Sequence, residues 1–213
     1  MTDAILRDAL LQAALGTLAE GLNHGTSGNV SVRHEASFLV TPTGMPFDLL
    51  CADDLVLVGM DGGTPPGSRI PSSEWRLHRD IYAARADVSA IVHAHPRFCT
   101  TIACLREDLP AVHYMLAVTG ADRVRCSGYA TYGTAELGRA AVEALGMSGA
   151  CLLANHGLVA VAESLEQALR VAREVEVVAE YWCRARAIGN PVVLSPAEMA
   201  DAVERFRGYG QPR

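Results

Sequence analysis

Two apolar runs, residues 150–154 and 158–162, are separated only by Asn155-His156-Gly157. A connection this short joins neighbouring strands as a hairpin or tight turn, because a parallel pair needs a crossover of a dozen or more residues. Shorter runs at 30–32, 38–41, 55–58 and 89–95 read as further strands, with Thr41-Pro42-Thr43-Gly44 turning the chain after the second. Helical patterns frame them. Leu6, Leu10, Ala13, Ala14 and Leu18 recur at helical spacing before Gly21. Residues 74–85 form a helix that Ser72 or Ser73 can cap, residues 96–105 one with Pro96 in its first position, and residues 134–145 one that stops at Gly146. Ser164 with Gln167, and Ser195 with Glu198, open two more, the first running to about Ile188. Helices before, between and after hairpin-linked strands predict an α/β fold, a three-layer α/β/α domain on a largely antiparallel central sheet.

At 213 residues and 50% hydrophobic, the chain suffices for one large core and is read as a single domain, 1–213. The glycine- and proline-rich stretch 61–68 is then a surface loop, since the segments flanking it are too short to stand alone. Eighteen Lys+Arg against 24 Asp+Glu, with no basic block, argue against a nucleic-acid partner. No run of about 18 apolar residues predicts a membrane span, and acids among the first twenty residues do not match a secretory signal, so a cytoplasmic location is expected. The six cysteines form no Cys-x-x-Cys pair and read as reduced, buried residues.

Histidine carries the specific information. In His93-Ala94-His95 two imidazoles stand two residues apart on a strand and so share a face, which is chelating geometry but is also compatible with ordinary surface residues. His156 occupies a glycine turn at a strand end, where it is either a turn residue or a ring aimed at a ligand. Glu74, at a helix start, is a structural acid favoured by the helix dipole or a functional one. Three imidazoles and one replaceable carboxylate suit Zn2+ or a similar divalent ion such as Mn2+ or Co2+. His24, His34, His78 and His113 lack such a pattern and read as surface residues or supports behind the ligands. Gly28-Asn29, Thr43-Gly44 and Ser72-Ser73 offer neutral donors to an anion, though each alone is equally a loop or a turn.

Seven blocks in order, Gly21 to Arg33, Thr41 to Pro46, Pro71 to Arg76, Val92 to His95, Ala111 to Met115, Tyr129 to Thr134 and Asn155 to Leu158, resemble the class II aldolase/adducin family over nearly the whole length. The resemblance implies an aldehyde-lyase that reversibly cleaves a ketose 1-phosphate into dihydroxyacetone phosphate and an aldehyde. L-Fuculose 1-phosphate, or a 5-deoxy or 5-methylthio pentulose 1-phosphate, would be the substrate. It implies that His93, His95, His156 and Glu74 hold zinc, that Glu74 is the acid/base, and that Gly28, Asn29, Thr43, Gly44, Ser72 and Ser73 hold the phosphate. It further implies a homotetramer with sites at subunit interfaces, Tyr114 acting across one of them, and Tyr209 approaching from the C-terminus.

Two departures bear on the aldehyde pocket: Tyr132 stands where the family's aldolases carry phenylalanine, and Ala154-Asn155 where they carry Gln-His. Other branches of the family are sugar-phosphate 4-epimerases, with Asp in place of Glu74, methylthioribulose-1-phosphate dehydratases, and adducin-like scaffolds without the metal site.

Overall fold

The computed structural model describes residues 3–207. Helix α1 spans Asp3–Ala19, followed by strands β1 (Asn29–His34), β2 (Ser37–Val40) and β3 (Val56–Gly59). Helix α2 (Trp75–Ala84), strand β4 (Ala90–Ala94) and helix α3 (Arg97–Leu105) come next, then the short strands β5 (Leu109–Pro110) and β6 (Arg123–Val124). Helix α4 (Ala135–Leu145), strands β7 (Ala150–Leu153) and β8 (Gly157–Ala162), and helices α5 (Leu165–Ile188) and α6 (Pro196–Arg207) complete the described chain. Six strands form one sheet in the order β3-β2-β1-β4-β8-β7, and every neighbouring pair is antiparallel. Among the described residues no helix is long and apolar enough to cross a membrane.

Strand alternation builds two cores. On β4, Ala90, Val92 and Ala94 face a cluster shared with α1, α3 and α5, while Ile91 faces Leu77 and Ile81 of α2 and Leu137 and Ala141 of α4. Each fully buried Leu or Ile in these layers contributes about 1.5–3 kcal/mol. The expected three-layer arrangement is therefore present. His93 and His95 continue the series begun at Ile91, so they fall on the α2 side.

Register then decides where the site forms. Asn29, at the start of β1, pairs with His93, and Ala94, at the end of β4, pairs with Leu158 of β8. One end of the sheet thus gathers the first residue of β1, the last of β4 and the hairpin turn before β8.

Several local expectations need correction. Neither Ser72 nor Ser73 caps α2: Glu74 itself occupies the N-cap position, and the Ser72 Oγ accepts only the Glu74 N–H, at 3.2 Å. Pro96 stands one residue before α3, and the cap of that helix comes from another helix, with the Glu176 carboxylate of α5 accepting the Phe98 and Cys99 N–H groups at 2.9 and 2.8 Å. All six cysteines are free, but only Cys99 and Cys151 are buried, while Cys51 and Cys104 are exposed. Three 3-10 turns, Phe47–Leu49, Ala52–Asp54 and Tyr114–Thr119, and the β5–β6 pair were not foreseen, being too short to show a period.

Candidate metal centre

The Nε2 atom of His93 lies 3.1 Å from that of His95 and 3.2 Å from that of His156. Nitrogens bound at about 2.0–2.1 Å around one tetrahedral ion stand about 3.3 Å apart, so the three rings already have the spacing of a shared ligand set. His93 is completely buried, and its Nδ1 lies 2.9 Å from the Leu158 carbonyl. Donation of the Nδ1 hydrogen to that carbonyl leaves the Nε2 lone pair facing the cluster. His95 lies one residue beyond β4, and its backbone N–H is tied to the Asn23 Oδ1 at 3.1 Å. His156 is presented by the β7–β8 turn, where Asn155 adopts a left-handed φ of 54° and donates its N–H to the Ala103 carbonyl. Two close approaches lock the arrangement. A Cβ on Gly157 would sit 2.5 Å from the Ala94 carbonyl and 2.8 Å from the His95 ring, and one on Gly28 would sit 2.6 Å from the His93 carbonyl.

Glu74 completes the cluster. It is 6% exposed, with Oε2 3.2 Å from the His93 Nε2 and accepting the Asn29 Nδ2–H at 2.9 Å. Oε1 is buried without a hydrogen-bond partner, 3.4 Å from the His156 Nε2. An unpaired buried carboxylate oxygen facing three imidazole nitrogens is what a divalent cation would satisfy. The carboxylate makes no capping hydrogen bond to its own helix and is turned to the histidines instead.

Charge follows the geometry. Burial raises the Glu74 carboxyl, but His93, His156 and the Asn29 N–H outweigh it and hold the group well below the usual carboxylate range. Burial and then the charge of His93 and His156 lower His95 to about 3, and burial with His93 lowers His156 to about 4. These two rings are neutral, as ligands must be. For His93 burial acts downward, yet Glu74 beside it and the Leu158 carbonyl raise its affinity for a proton.

A cleft of about 400 Å³ opens over the cluster and is lined by Gly28, Asn29, Thr43, Gly44, Ser72, Ser73, Glu74, His95, Tyr132 and His156, among others. All six residues expected to hold phosphate line this cleft. Their donors differ from expectation: the Thr43 and Ser72 N–H groups are spent on the Ile70 and Thr41 carbonyls, so these two residues offer hydroxyls. Both polar ends of the Asn29 amide are also engaged, by Glu74 and by His78. Tyr132 stands at the mouth, 67% exposed.

Tyr114 is not in this cleft. It is exposed, stacks on His113 at 4.6 Å, and lines a separate cavity with Met115, Leu194 and Phe206. Tyr209 lies outside the described residues. Of the two sequence readings of His78, surface residue or support behind the ligands, the structure excludes the first, since the ring is completely buried; Asn23 carries no sequence signal beyond its nearness to Gly28. Tyr129 and Asn155 also line the cleft, linked by Arg106, whose Nε donates to the Asn155 Oδ1 at 2.8 Å and whose guanidinium lies over the Tyr129 ring.

Comparison with known proteins agrees with this picture. Residues 8–183 match the family model of the Class II Aldolase and Adducin N-terminal domain. A 5-methylthioribulose-1-phosphate/5-deoxyribulose-1-phosphate aldolase of Rhodospirillum rubrum is 45% identical over 205 residues, covering 96% of this chain and 92% of that protein. An L-fuculose phosphate aldolase of Escherichia coli is 43% identical over 209 residues, covering 96% and 97%. A solved structure of L-fuculose 1-phosphate aldolase superposes with a TM-score of 0.94 at 40% identity, covering 97% of this chain and 98% of that one. Fold, relatives and a histidine cluster fit for a divalent metal define an enzyme of the lyase class. The chain belongs to the class II aldolase/adducin family.

Proposed function

We propose that this protein is a zinc-dependent aldolase, with Mn2+ or Co2+ able to replace zinc, that cleaves a ketose 1-phosphate into dihydroxyacetone phosphate and an aldehyde. L-Fuculose 1-phosphate and the 5-deoxy and 5-methylthio pentulose 1-phosphates named for its relatives are the substrate candidates. One observation carries the reading: the His93 Nε2 lies 3.1 and 3.2 Å from those of His95 and His156, all three within 4.8 Å of one another, with the partnerless Glu74 Oε1 beside them.

His93, His95, His156 and Glu74 would hold the ion. When bound, a divalent cation supplies Lewis-acid stabilisation of the negative charge that builds on the substrate oxygens as the C3–C4 bond parts. A Schiff base with a lysine is not open to this chain, whose sequence contains no lysine. The hydroxyls of Thr43, Ser72 and Ser73, with the backbone at Gly28 and Gly44 and the remaining Asn29 amide hydrogen, bind the phosphate and fix C1 at the cleft wall. Glu74, ionised as folded, takes up a proton from solvent in the open cleft and passes it to C3. Tyr114 of a neighbouring copy accepts the C4 hydroxyl proton, an assignment supported by its exposure and by its absence from the cleft of its own chain. The proposed assembly is a homotetramer, and Tyr209 is assigned a catalytic part in it. Each proton transfer is worth about 10²- to 10⁴-fold in rate.

The test is a panel of ketose 1-phosphates assayed for dihydroxyacetone phosphate with and without a chelator. Release that a chelator abolishes and zinc restores is the expected result. Consumption of the sugar without dihydroxyacetone phosphate would replace cleavage by epimerisation or dehydration at the same site. Glu74→Gln is expected to lose turnover by about 10² or more, and near-normal cleavage by that variant removes Glu74 from its role.

A further inference from the structure

Behind the metal centre, helix α2 and strand β1 interleave their polar side chains. Glu74, His78 and Tyr82 recur every fourth residue, and Asn29, Ser31 and Arg33 every second. Four helical residues advance about 6 Å and two strand residues about 6.6 Å, so the two series stay in step. The contacts follow: Asn29 Nδ2 to Glu74 Oε2 at 2.9 Å, His78 Nε2 to Asn29 Oδ1 at 2.5 Å, Ser31 Oγ to His78 Nδ1 at 2.6 Å, and Tyr82 Oη to Ser31 Oγ at 2.8 Å. His78 and Ser31 are completely buried.

Donor counting gives this chain one direction. A carboxylate only accepts, so the NH2 end of Asn29 meets Glu74 and its Oδ1 meets His78. His78 must therefore carry its hydrogen on Nε2 and accept on Nδ1 from the Ser31 hydroxyl, which in turn accepts from Tyr82.

We infer that His78 is a positioning residue for the metal centre: by fixing which end of the Asn29 amide faces Glu74, it pins Oε2 and leaves Oε1 turned toward the three imidazoles. With the amide reversed, its oxygen would oppose Oε2 and the carboxylate would swing away. This rests on the metal reading given above, and it concerns ligand geometry rather than the sugar cleaved.

The test uses Co2+ alone with the full chain and no substrate. His78→Leu removes the donor at similar volume and is expected to weaken Co2+ binding about 10- to 100-fold and to change its visible absorption spectrum. His78→Gln keeps an N–H within reach of Asn29 Oδ1 and is expected to restore both. In turnover assays His78→Leu lowers kcat by more than it raises KM, since Asn29 is one phosphate donor among several. A folded His78→Leu with wild-type Co2+ affinity and spectrum overturns the inference. Should that variant not fold, nitrogen NMR of the histidine-labelled zinc-loaded wild type decides. Ligand imidazoles bound through Nε2 carry hydrogen on Nδ1, whereas His78, assigned by its disappearance in His78→Gln, must carry it on Nε2; the opposite tautomer overturns the inference. Metal binding is read without substrate, so this inference can fail while ketose-phosphate cleavage stands, and can survive if the substrate proves to be another.

Discussion

At the floor of the cleft His93 is completely buried and Glu74 is 6% exposed, whereas at its mouth Tyr129 and Tyr132 are 58% and 67% exposed. The floor groups are pinned from behind by the Leu158 carbonyl, by Asn29 and by the hairpin turn. At the mouth Arg106 reaches both Tyr129 and Asn155. The floor can hold reacting atoms to fixed positions, while the mouth can change with little disturbance to the fold. A lyase built this way can keep its bond-breaking chemistry and exchange the aldehyde it accepts.

The largest effect that would break this contrast is expected at the floor. His93→Ala removes a ligand and strands Glu74 as a buried carboxylate short of a partner, so bound metal and cleavage should both disappear. Stability should fall by about 3–5 kcal/mol, checked by elemental analysis and denaturant unfolding. Retained stoichiometric metal would show that the floor is not a single unit.

Acid should act next. His95, His156 and His78 titrate in the folded protein near 3, 4 and 3, the last through burial and then the charge of His93. Unfolded histidines take up protons near 6.5, so between that pH and about 4 the unfolded state binds more protons and stability falls as pH falls. Each ring contributes at most about 1.4 kcal/mol per pH unit in that window, while His93, raised in the folded state, opposes them. Unfolding midpoints at pH 7 and pH 5 check the sign, and a midpoint that rises on acidification contradicts it.

A smaller loss is expected for Gly28→Ala. Its φ of +76° costs an alanine about 1–2 kcal/mol, and the added carbon meets the His93 carbonyl and the Asn23 side chain. Weaker metal retention should accompany the loss of stability, since both contacts support ligands. The smallest effect belongs to the mouth: Tyr132→Phe should change stability by less than about 0.5 kcal/mol and shift only the preference among aldehyde tails. A large fall in turnover with every substrate would move Tyr132 from the mouth to the chemistry.

What could be read from the chain alone follows the same division. Strand periodicity put His93 and His95 on one face, and a three-residue connection presented His156 at a strand end, because both patterns are local. Glu74 is ambiguous in sequence, since a helix start is a good place for any acid; its contact with Asn29, 45 residues away, belongs to the folded chain alone. His78 reads from sequence as either a surface residue or a support behind the ligands, because the choice depends on β1 running beside α2, a tertiary fact. The cap of α3 by Glu176 is legible only once α5 lies across that helix. The part proposed for Tyr114 cannot be read from one folded chain, whose own cleft does not contain that residue.

The register of the six strands has one more consequence. Asn29, His95 and His156 all sit at the same end of the sheet, so the turn at Glu35, beyond the far end of β1, is a full strand length from the metal centre. Extra sequence spliced there would cost only loop closure, about 0.6 kcal/mol for each doubling in length. A fluorescent or affinity module grafted at that corner should ride on a working enzyme, which makes it a convenient anchoring point for immobilisation.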